Sequence, residues 1–303
     1  MKLHLLAALL GLALPALAQP QQLVVLGVTQ DAGYPQAGAT GEFVAVELGL
    51  RTRQKVVSLG VVDEQAGQKF LFEATPDMPQ QLFTLNADMP TRSTLPTGIF
   101  LTHGHIGHYM GLLYLGREAL GASEVPVYAM PRMADFLARN APWSQLLTLH
   151  NIALRPLAAG QVVALNPRLT VTPFLVPHRD EFTETVGFEI RGAHKKAVFI
   201  PDIDKWSKWP VSLPAVIKNA DYVLLDATFY RNGEIARDMA EVPHPFVEET
   251  LQLLQALPAA ERAKVYFIHF NHTNPLLAPS SAERQAVLRQ GFQVATEGLV
   301  LEL

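Results

Sequence analysis

Short apolar runs that end in histidine or aspartate recur five times along this 303-residue chain and constrain its fold more than any other feature. Their length and β-branched content are typical of buried strands. A lone strand-end His or Asp is usually a turn, cap or loop residue, but joint recurrence favours a shared site. The runs are Gly98 to Thr102 before His103, Phe174 to Pro177 before His178, Ala197 to Pro201 before Asp202, Tyr222 to Leu225 before Asp226, and Val265 to Ile268 before His269.

Strand and helix patterns interleave after Gln22. Other strands are predicted at 23–28, 42–48, 56–59, 70–73, 125–128 and 185–190, and helices at 109–120, 131–140, 245–256 and 281–290. Ser280 with Glu283 reads as a capping box at the start of the last helix, and Gly291 as the glycine that follows its end. The pattern favours an α/β (α+β) fold with helices outside paired sheets, a four-layer αββα sandwich, over a doubly wound sheet. Periodicity alone leaves both open.

Composition excludes several classes of function. Cys is absent, which removes disulfides, thiolate metal ligands and thiol nucleophiles, so any metal must be held by His, Asp or Glu. Lys+Arg 24 against Asp+Glu 28 gives a net charge of -4 without a basic tract, so nucleic acid is not an expected partner. The chain also lacks GxSxG, GxxxxGK[ST] and GxGxxG motifs, so serine hydrolase and nucleotide-fold functions have no support.

The N-terminal residues 1–18 have the organisation of a signal peptide. Met1-Lys2 forms a positive start, Leu5 to Leu14 an apolar stretch, and Ala16-Leu17-Ala18 a small-x-small cleavage pattern. The apolar stretch is shorter than the roughly 20 residues of a membrane span, although an uncleaved anchor helix is the alternative. We predict cleavage before Gln19, a mature domain of residues 19–303 without a stable membrane span, and a periplasmic or secreted location.

The densest chemical signal is His103-Gly104-His105-Ile106-Gly107-His108, directly after a predicted strand and before a helix. Alternate residues of an extended segment point the same way, so His103 and His105 can converge on one ion while His108 turns to a neighbouring position. Neutral imidazole is the expected nitrogen ligand for zinc. A polar surface loop that happens to hold three histidines is the alternative.

The order of HxHxxH, a later His, a strand-end Asp and a final strand-end His resembles the metallo-β-lactamase superfamily. That resemblance implies a two-fold αββα sandwich with a zinc site between its sheets. Residues 24–27, 33–36, 74–77 with Gln80-Gln81, and 271–275 are similar to the pyrroloquinoline quinone biosynthesis protein B branch. Members of that branch often carry Cys near the first of these segments, where this chain has Ala37 to Thr40.

The resemblance also implies ligands for two metal sites. His103, His105 and His178 match the ligands of site one, Asp202 the bridging carboxylate, and His108 with His269 ligands of site two. The superfamily pattern HxHxDH places an Asp before the third His, where this chain has Gly107. One ion is therefore as plausible as two, with Asp204, Asp226, His244 or His272 as replacements if the fold brings one close.

The resulting hypothesis is a metallo-β-lactamase-fold metallo-hydrolase. Zinc held by histidines and a carboxylate lowers the pKa of a bound water toward roughly 7 and supplies hydroxide for attack on a small ester, phosphodiester or lactam-type substrate. Asp202 would bridge metal and water, and His244 or His272 would steady the leaving group or the oxyanion. Asp226 and His244 resemble an Asp and a His of the ribonuclease Z and phosphodiesterase branches, but His244-Pro245 is equally explained as a helix start with Pro at its first position.

Two other functions stay open at this point. Iron or manganese also suits such ligands, and the nearest branch is associated with oxidation of a tyrosine-derived precursor, so an iron-dependent oxidative enzyme is the second hypothesis. A non-catalytic metal-binding module with a closed four-coordinate site is the third. The identity of the small-molecule substrate and the oligomeric state cannot be read from the sequence.

Overall fold

The computed structural model describes residues 21–87, 93–239 and 242–303. The predicted signal peptide, residues 1–18, lies outside the described residues. The strands are β1 (Gln22–Gly27), β2 (Ser58–Asp63), β3 (Gln68–Phe72), β4 (Gly98–Phe100), β5 (Val125–Ala129), β6 (Ile152–Pro156), β7 (Val163–Asn166), β8 (Leu169–Leu175), β9 (Val186–Arg191), β10 (Lys196–Ile200), β11 (Tyr222–Asp226), β12 (Val265–Ile268), β13 (Gln293–Val294) and β14 (Val300–Glu302).

The α-helices are α1 (Thr40–Glu47), α2 (Met78–Ala87), α3 (Ile106–Tyr109), α4 (Pro131–Arg139), α5 (Trp143–Thr148), α6 (Leu213–Lys218), α7 (Val247–Leu254), α8 (Ala259–Arg262) and α9 (Ala282–Arg289). Short 3-10 turns cover Met110–Leu115, Trp206–Lys208 and Pro275–Leu277.

The strands form two seven-stranded sheets. The first has the order β14-β1-β2-β3-β4-β5-β6 and the second β13-β12-β11-β10-β9-β8-β7. In the second sheet β10, β11, β12 and β13 are parallel neighbours, so the carboxyl ends of these strands meet at one edge. That edge carries the aspartates and the final histidine that the sequence pattern singles out.

Buried side chains on both faces of the first sheet explain its almost uninterrupted apolar strands. In β1, Leu23 and Val25 belong to the core that also holds Phe188 of the second sheet, whereas Val24 and Leu26 belong to a separate cluster with helix residues such as Leu85. Helices α2, α4 and α5 contribute to that separate cluster, and α6, α7 and α9 pack against the second sheet. The predicted αββα sandwich is therefore confirmed.

Three local predictions are wrong. The helix expected at 109–120 is instead a 3-10 turn over Met110–Leu115 that follows the short α3. Residues 42–48 were expected as a strand but lie largely in α1, which has no buried residue, so its β-branched side chains have no sheet face to pack against. The last helix is capped by Ser281, whose hydroxyl accepts a hydrogen bond from the Arg284 amide, rather than by Ser280. Gly291 does adopt the positive φ, 87°, expected after the helix end.

Replacing Gly27 by alanine should destabilise the fold by about 2 kcal/mol or more, because a Cβ at this position would lie 1.9 Å from the Val56 carbonyl oxygen. That oxygen also accepts a hydrogen bond from Gln81. Gly41→Ala is the control, since nothing lies within 4 Å of its Cβ position and alanine favours the helix there. Urea unfolding of both variants measures the difference, and equal midpoints would contradict the close approach.

Within the described residues, no helix combines the length and the apolar character required to cross a membrane.

Candidate metal centre

Four strand ends bring the predicted ligands together. Asp202 lies just beyond β10, Asp226 is the last residue of β11, and His269 follows β12 directly. His103 lies shortly after β4 of the first sheet. The site therefore forms where the edges of both sheets meet, as the sequence pattern predicts.

The first group of side chains is His103, His105, His178 and Asp202, whose ligand atoms all lie within 4.8 Å of one another. Asp202 Oδ2 is 3.3 Å from His103 Nε2, and Asp202 Oδ1 is 3.2 Å from His178 Nε2. His103 Nε2 and His105 Nδ1 are 2.8 Å apart. Three imidazoles and one carboxylate are a ligand set that suits zinc.

A second group consists of Asp202, Asp226, His244 and His269, again with ligand atoms within 4.8 Å of one another. His244 Nδ1 lies 3.2 Å from Asp202 Oδ1 and 2.8 Å from Asp226 Oδ2. Asp202 is the member common to both groups. This shared place is compatible with the bridging role that the resemblance implies for Asp202, which stays a prediction.

Several buried atoms of the site have no hydrogen-bond partner among the described residues. These atoms are both ring nitrogens of His178, Asp202 Oδ1 and His269 Nε2. Buried polar groups in folded proteins are nearly always paired, because an unpaired one loses its hydration without compensation. A divalent cation would satisfy these lone pairs, so the site fits a metal ion on its own geometry.

Thr228 was not identified from the sequence and orients two of the ligands. Its hydroxyl lies 2.7 Å from Asp226 Oδ1 and 2.8 Å from His269 Nδ1. A hydroxyl has one hydrogen, so when it donates to the Asp226 carboxylate its oxygen accepts from His269 Nδ1–H. The lone pair of His269 then resides on Nε2, the atom that faces Asp202 at 3.8 Å.

His108 is fully buried but belongs to neither group of four. Its Nδ1 lies 3.3 Å from Glu73 Oε1, and its Nε2 lies 3.4 Å from Asp31 Oδ1 and 3.7 Å from Asp202 Oδ2. Glu73 and Asp31 were both missed by the sequence analysis. Glu73 directly follows β3, as other site residues follow their strands. A search for acidic residues at the ends of predicted strands could therefore have identified it.

Two of the four non-glycine residues with positive φ in the described part of the chain lie at this site, and the other two, Glu124 and His150, form an exposed pair elsewhere. Glu73 and His269 adopt positive φ angles of 75° and 68°. Residues other than glycine rarely adopt this conformation, and exceptions concentrate at functional sites. Both strained residues flank His108 and Asp202, which supports a functional rather than a purely structural role for this edge.

Burial keeps most of the imidazoles neutral. It lowers the pKa of His103 well below its usual range, with the neighbouring histidines adding to the effect, and it lowers the pKa of His269 to about 3. Neutral imidazole is the form that binds metals. Burial also lowers the pKa of His108, but the carboxylates of Glu73 and Asp31 outweigh it and raise that pKa well above the usual range.

Metal binding at neutral pH should release at least one proton. Burial raises the pKa of Asp202 to about 8, with Asp226 and Asp31 adding to the effect, so its carboxyl is mostly protonated at pH 7 without metal. A ligand must be deprotonated, and the three histidines of the first group have lowered pKa values. The affinity of that group for a metal ion should therefore rise about tenfold per pH unit up to about pH 8 and then level off. Titration calorimetry in buffers of different ionisation enthalpy counts the protons, and a buffer-independent heat would contradict this.

Two residues named by the sequence analysis lie elsewhere. His272 Nδ1 is 2.6 Å from Glu42 Oε1 and is in neither group, so its predicted role at the leaving group stays a prediction. Asp204 pairs with Lys208 at 2.6 Å and is not in either group. His244, by contrast, is buried in the site. The alternative explanation of His244-Pro245 as a helix start is wrong, because α7 begins at Val247 with Phe246 as its N-cap.

Comparison with known proteins agrees with this geometry. A family model described as "Beta-lactamase superfamily domain" matches residues 68–270. The coenzyme PQQ synthesis protein B of Methylobacterium sp. (strain 4-46) is 27% identical over 309 residues, which cover 93% of this chain and 100% of that relative.

Solved structures give the same result for the fold. Zn(2+)-bound PqqB from Methylobacterium extorquens is similar with a TM-score of 0.77 and 23% identity, covering 93% of this chain and 100% of that one. A diphosphatase from the PhnP family is similar with a TM-score of 0.67 and 21% identity, covering 94% of this chain and 98% of that one. The fold is thus shared by a zinc-bound protein and by a diphosphatase.

Proposed function

This chain belongs to the beta-lactamase superfamily, and from that premise we propose that it is a metal-dependent hydrolase, with zinc as the ion and a small ester, phosphodiester or lactam-type molecule as the substrate. The observation that carries the proposal is the first group of His103, His105, His178 and Asp202, whose ligand atoms all lie within 4.8 Å of one another. No protein nucleophile is needed in such a site. A bound divalent ion polarises the scissile bond and lowers the pKa of its water to roughly 7.

The residues of the chain have separate roles in this proposal. His103, His105 and His178 hold the ion, and Asp202 links the two groups. His244 is oriented by Asp226, whose Oδ2 lies 2.8 Å from its Nδ1. Burial lowers the pKa of His244, but the Asp226 carboxylate contributes to a net rise of that pKa. A protonated imidazole in this position can donate its Nε2 proton to a leaving group.

The test is turnover of chromogenic phosphodiester, ester and lactam substrates by the protein loaded with zinc. His105→Ala should lower hydrolysis on the order of 100-fold, because losing a ligand weakens the site by several kcal/mol. His150→Ala is the matched control, since His150 is exposed and pairs with Glu124 at 2.8 Å. Unchanged turnover in His105→Ala, with the fold retained, would refute the hydrolase.

An iron-dependent oxidative reaction is the second candidate, and it is favoured by the similarity to coenzyme PQQ synthesis protein B over 93% of the chain. His and carboxylate ligands with open positions also suit iron. Elemental mass spectrometry of protein isolated without added metal separates the two. Predominant iron with oxygen uptake would favour oxidation, whereas zinc without oxygen uptake would favour hydrolysis.

Export is proposed on the signal-peptide pattern of residues 1–18. Intact-mass measurement of the protein from a periplasmic fraction should give a chain that begins at Gln19. A full-length chain confined to the cytoplasm would contradict export without affecting the proposed chemistry.

A further inference from the structure

The superfamily motif leaves one open question in this chain, which is the identity of the carboxylate for a second metal site. The motif would place an Asp at position 107, where the chain has Gly107. Of the four replacements considered from the sequence, Asp204 and His272 lie outside both ligand groups. Asp226 already accepts hydrogen bonds from Thr228 and from the Ile203 amide.

Asp31 fills the volume that a side chain at position 107 would take. A Cβ built on Gly107 would lie 2.3 Å from Asp31 Oδ1, 2.5 Å from its Cα and 3.1 Å from its Cβ. Asp31 Oδ1 also accepts a hydrogen bond from the Gly107 amide at 3.1 Å. Gly107 and Asp31 are therefore complementary, because a carboxylate can stand in this space from one position or the other but not from both.

The loop that carries Asp31 is held beside the ligands by backbone hydrogen bonds. The Gln30 amide donates to the Phe270 carbonyl at 2.8 Å, and the Phe270 amide donates to the Val28 carbonyl at 2.8 Å. Phe270 is the residue after His269. A fixed geometry between Asp31 and His269 follows, as a metal site requires.

One buried, unpartnered nitrogen adjoins the Asp31 carboxylate, and a second lies on the neighbouring His269 ring. His108 Nε2 lies 3.4 Å from Asp31 Oδ1, and the His108 ring centroid is 5.5 Å from that of His269. Nε2 of both histidines lacks a hydrogen-bond partner among the described residues and approaches Asp202 Oδ2, at 3.7 Å from His108 and 3.8 Å from His269. These buried nitrogens without a hydrogen-bond partner are independent evidence for a cation beside Asp31.

We propose that Asp31 is the missing carboxylate ligand of a second metal site, formed with His108, His269 and Asp202. The chain thus supplies from the loop after β1 the ligand that its motif lacks, and it binds two ions that share Asp202. Two imidazoles and two carboxylates suit zinc or manganese. This inference rests on the proposed metal-dependent function.

The test is the number of ions bound by the mature chain, measured by titration calorimetry and elemental mass spectrometry. Wild type should bind two ions. Asp31→Asn keeps the shape and an acceptor for the Gly107 amide but removes the charge, so it should keep one ion and bind the second about 100-fold or more weakly. Asp135→Asn, an exposed residue of α4 that pairs with Arg139, is the matched control and should bind two ions.

A swap variant separates ligation from a structural role. Asp31→Gly combined with Gly107→Asp returns the carboxylate to the motif position and should restore the second ion, whereas Gly107→Asp alone meets Asp31 and should not fold normally. If the swap fails to fold, Asp31→Asn with cobalt still decides, because loss of the second equivalent in the cobalt absorption titration supports ligation.

Two results would overturn the inference, namely a wild type that binds only one ion and an Asp31→Asn variant that binds two with unchanged affinity. A different result would refute the proposed hydrolase function. A protein that binds two ions through Asp31 and hydrolyses none of the substrates would refute the hydrolase while leaving the second site in place.

Discussion

Replacing Asp202 by asparagine should lower kcat/KM by about 10³-fold or more, a loss of about 4 kcal/mol of transition-state stabilisation. Asp202 is the member common to both ligand groups, and it is 2% exposed. Asparagine keeps the shape of the side chain but removes the negative charge from between the two sets of imidazoles. Steady-state turnover and the metal content of the purified variant measure both consequences.

Asp204→Asn is the control for this substitution. Asp204 lies two residues further along the same loop and pairs with Lys208, outside both groups. It should keep the wild-type metal content and turnover. An Asp202→Asn protein that retains full activity would contradict the bridging role, whatever the behaviour of the control.

Asp202→Asn should lower turnover but raise the free energy of unfolding of the metal-free protein. In the metal-free protein the pKa of Asp202 is raised by burial to about 8, against about 3.9 in an unfolded chain. Between these values the folded state binds more protons than the unfolded state, so the free energy of unfolding falls as pH rises. Asparagine has no proton to lose, so the metal-free variant should be the more stable protein at about pH 8. Urea midpoints of the two metal-free proteins test this.

The sequence pattern predicted the ligands at strand ends because their position follows from a local rule. The carboxyl ends of parallel neighbouring strands lie at one edge of the sheet, so Asp226 at the end of β11 had to lie near the residues that follow β10 and β12. This rule on strand ends does not identify Asp31. It lies several residues beyond β1, and its contact with Gly107 spans 76 positions of the chain, a distance over which residue spacing carries no information. The absence of the motif Asp at position 107 is evident from the sequence, but the contact between Asp31 and Gly107 is a tertiary contact that only the structure reveals.

The error at 42–48 has a different physical origin. Its β-branched and aromatic residues favour a strand, but β propensity reflects packing on a pleated surface rather than a preference of the backbone. No residue of α1 is buried, so no such packing is available to it. Glu42 of α1 instead makes polar contacts, since it accepts a hydrogen bond from the Gln36 amide and contacts His272.

Removing the metal with a chelator should abolish hydrolysis and lower the melting temperature by about 10 °C. An ion present at a thousand times its dissociation constant stabilises the folded state by about 4 kcal/mol, and for a chain of this length each kcal/mol shifts Tm by about 2–4 °C. The physical reason lies in the site, where both ring nitrogens of His178, Nε2 of His269 and Oδ1 of Asp202 are buried and have no hydrogen-bond partner among the described residues.

Differential scanning calorimetry before and after chelation measures this effect, and zinc added back should restore both Tm and turnover. His105→Ala provides the comparison, since a protein that has lost one ligand of the first group should respond less to the chelator. If chelation left Tm unchanged, the buried lone pairs would be stable without an ion, and the convergence of imidazoles and carboxylates at this edge would need another cause. If chelation lowers Tm and abolishes turnover as expected, the same ion stabilises the fold and supports catalysis. The reason is that metal binding compensates the cost of burying these ligands away from water.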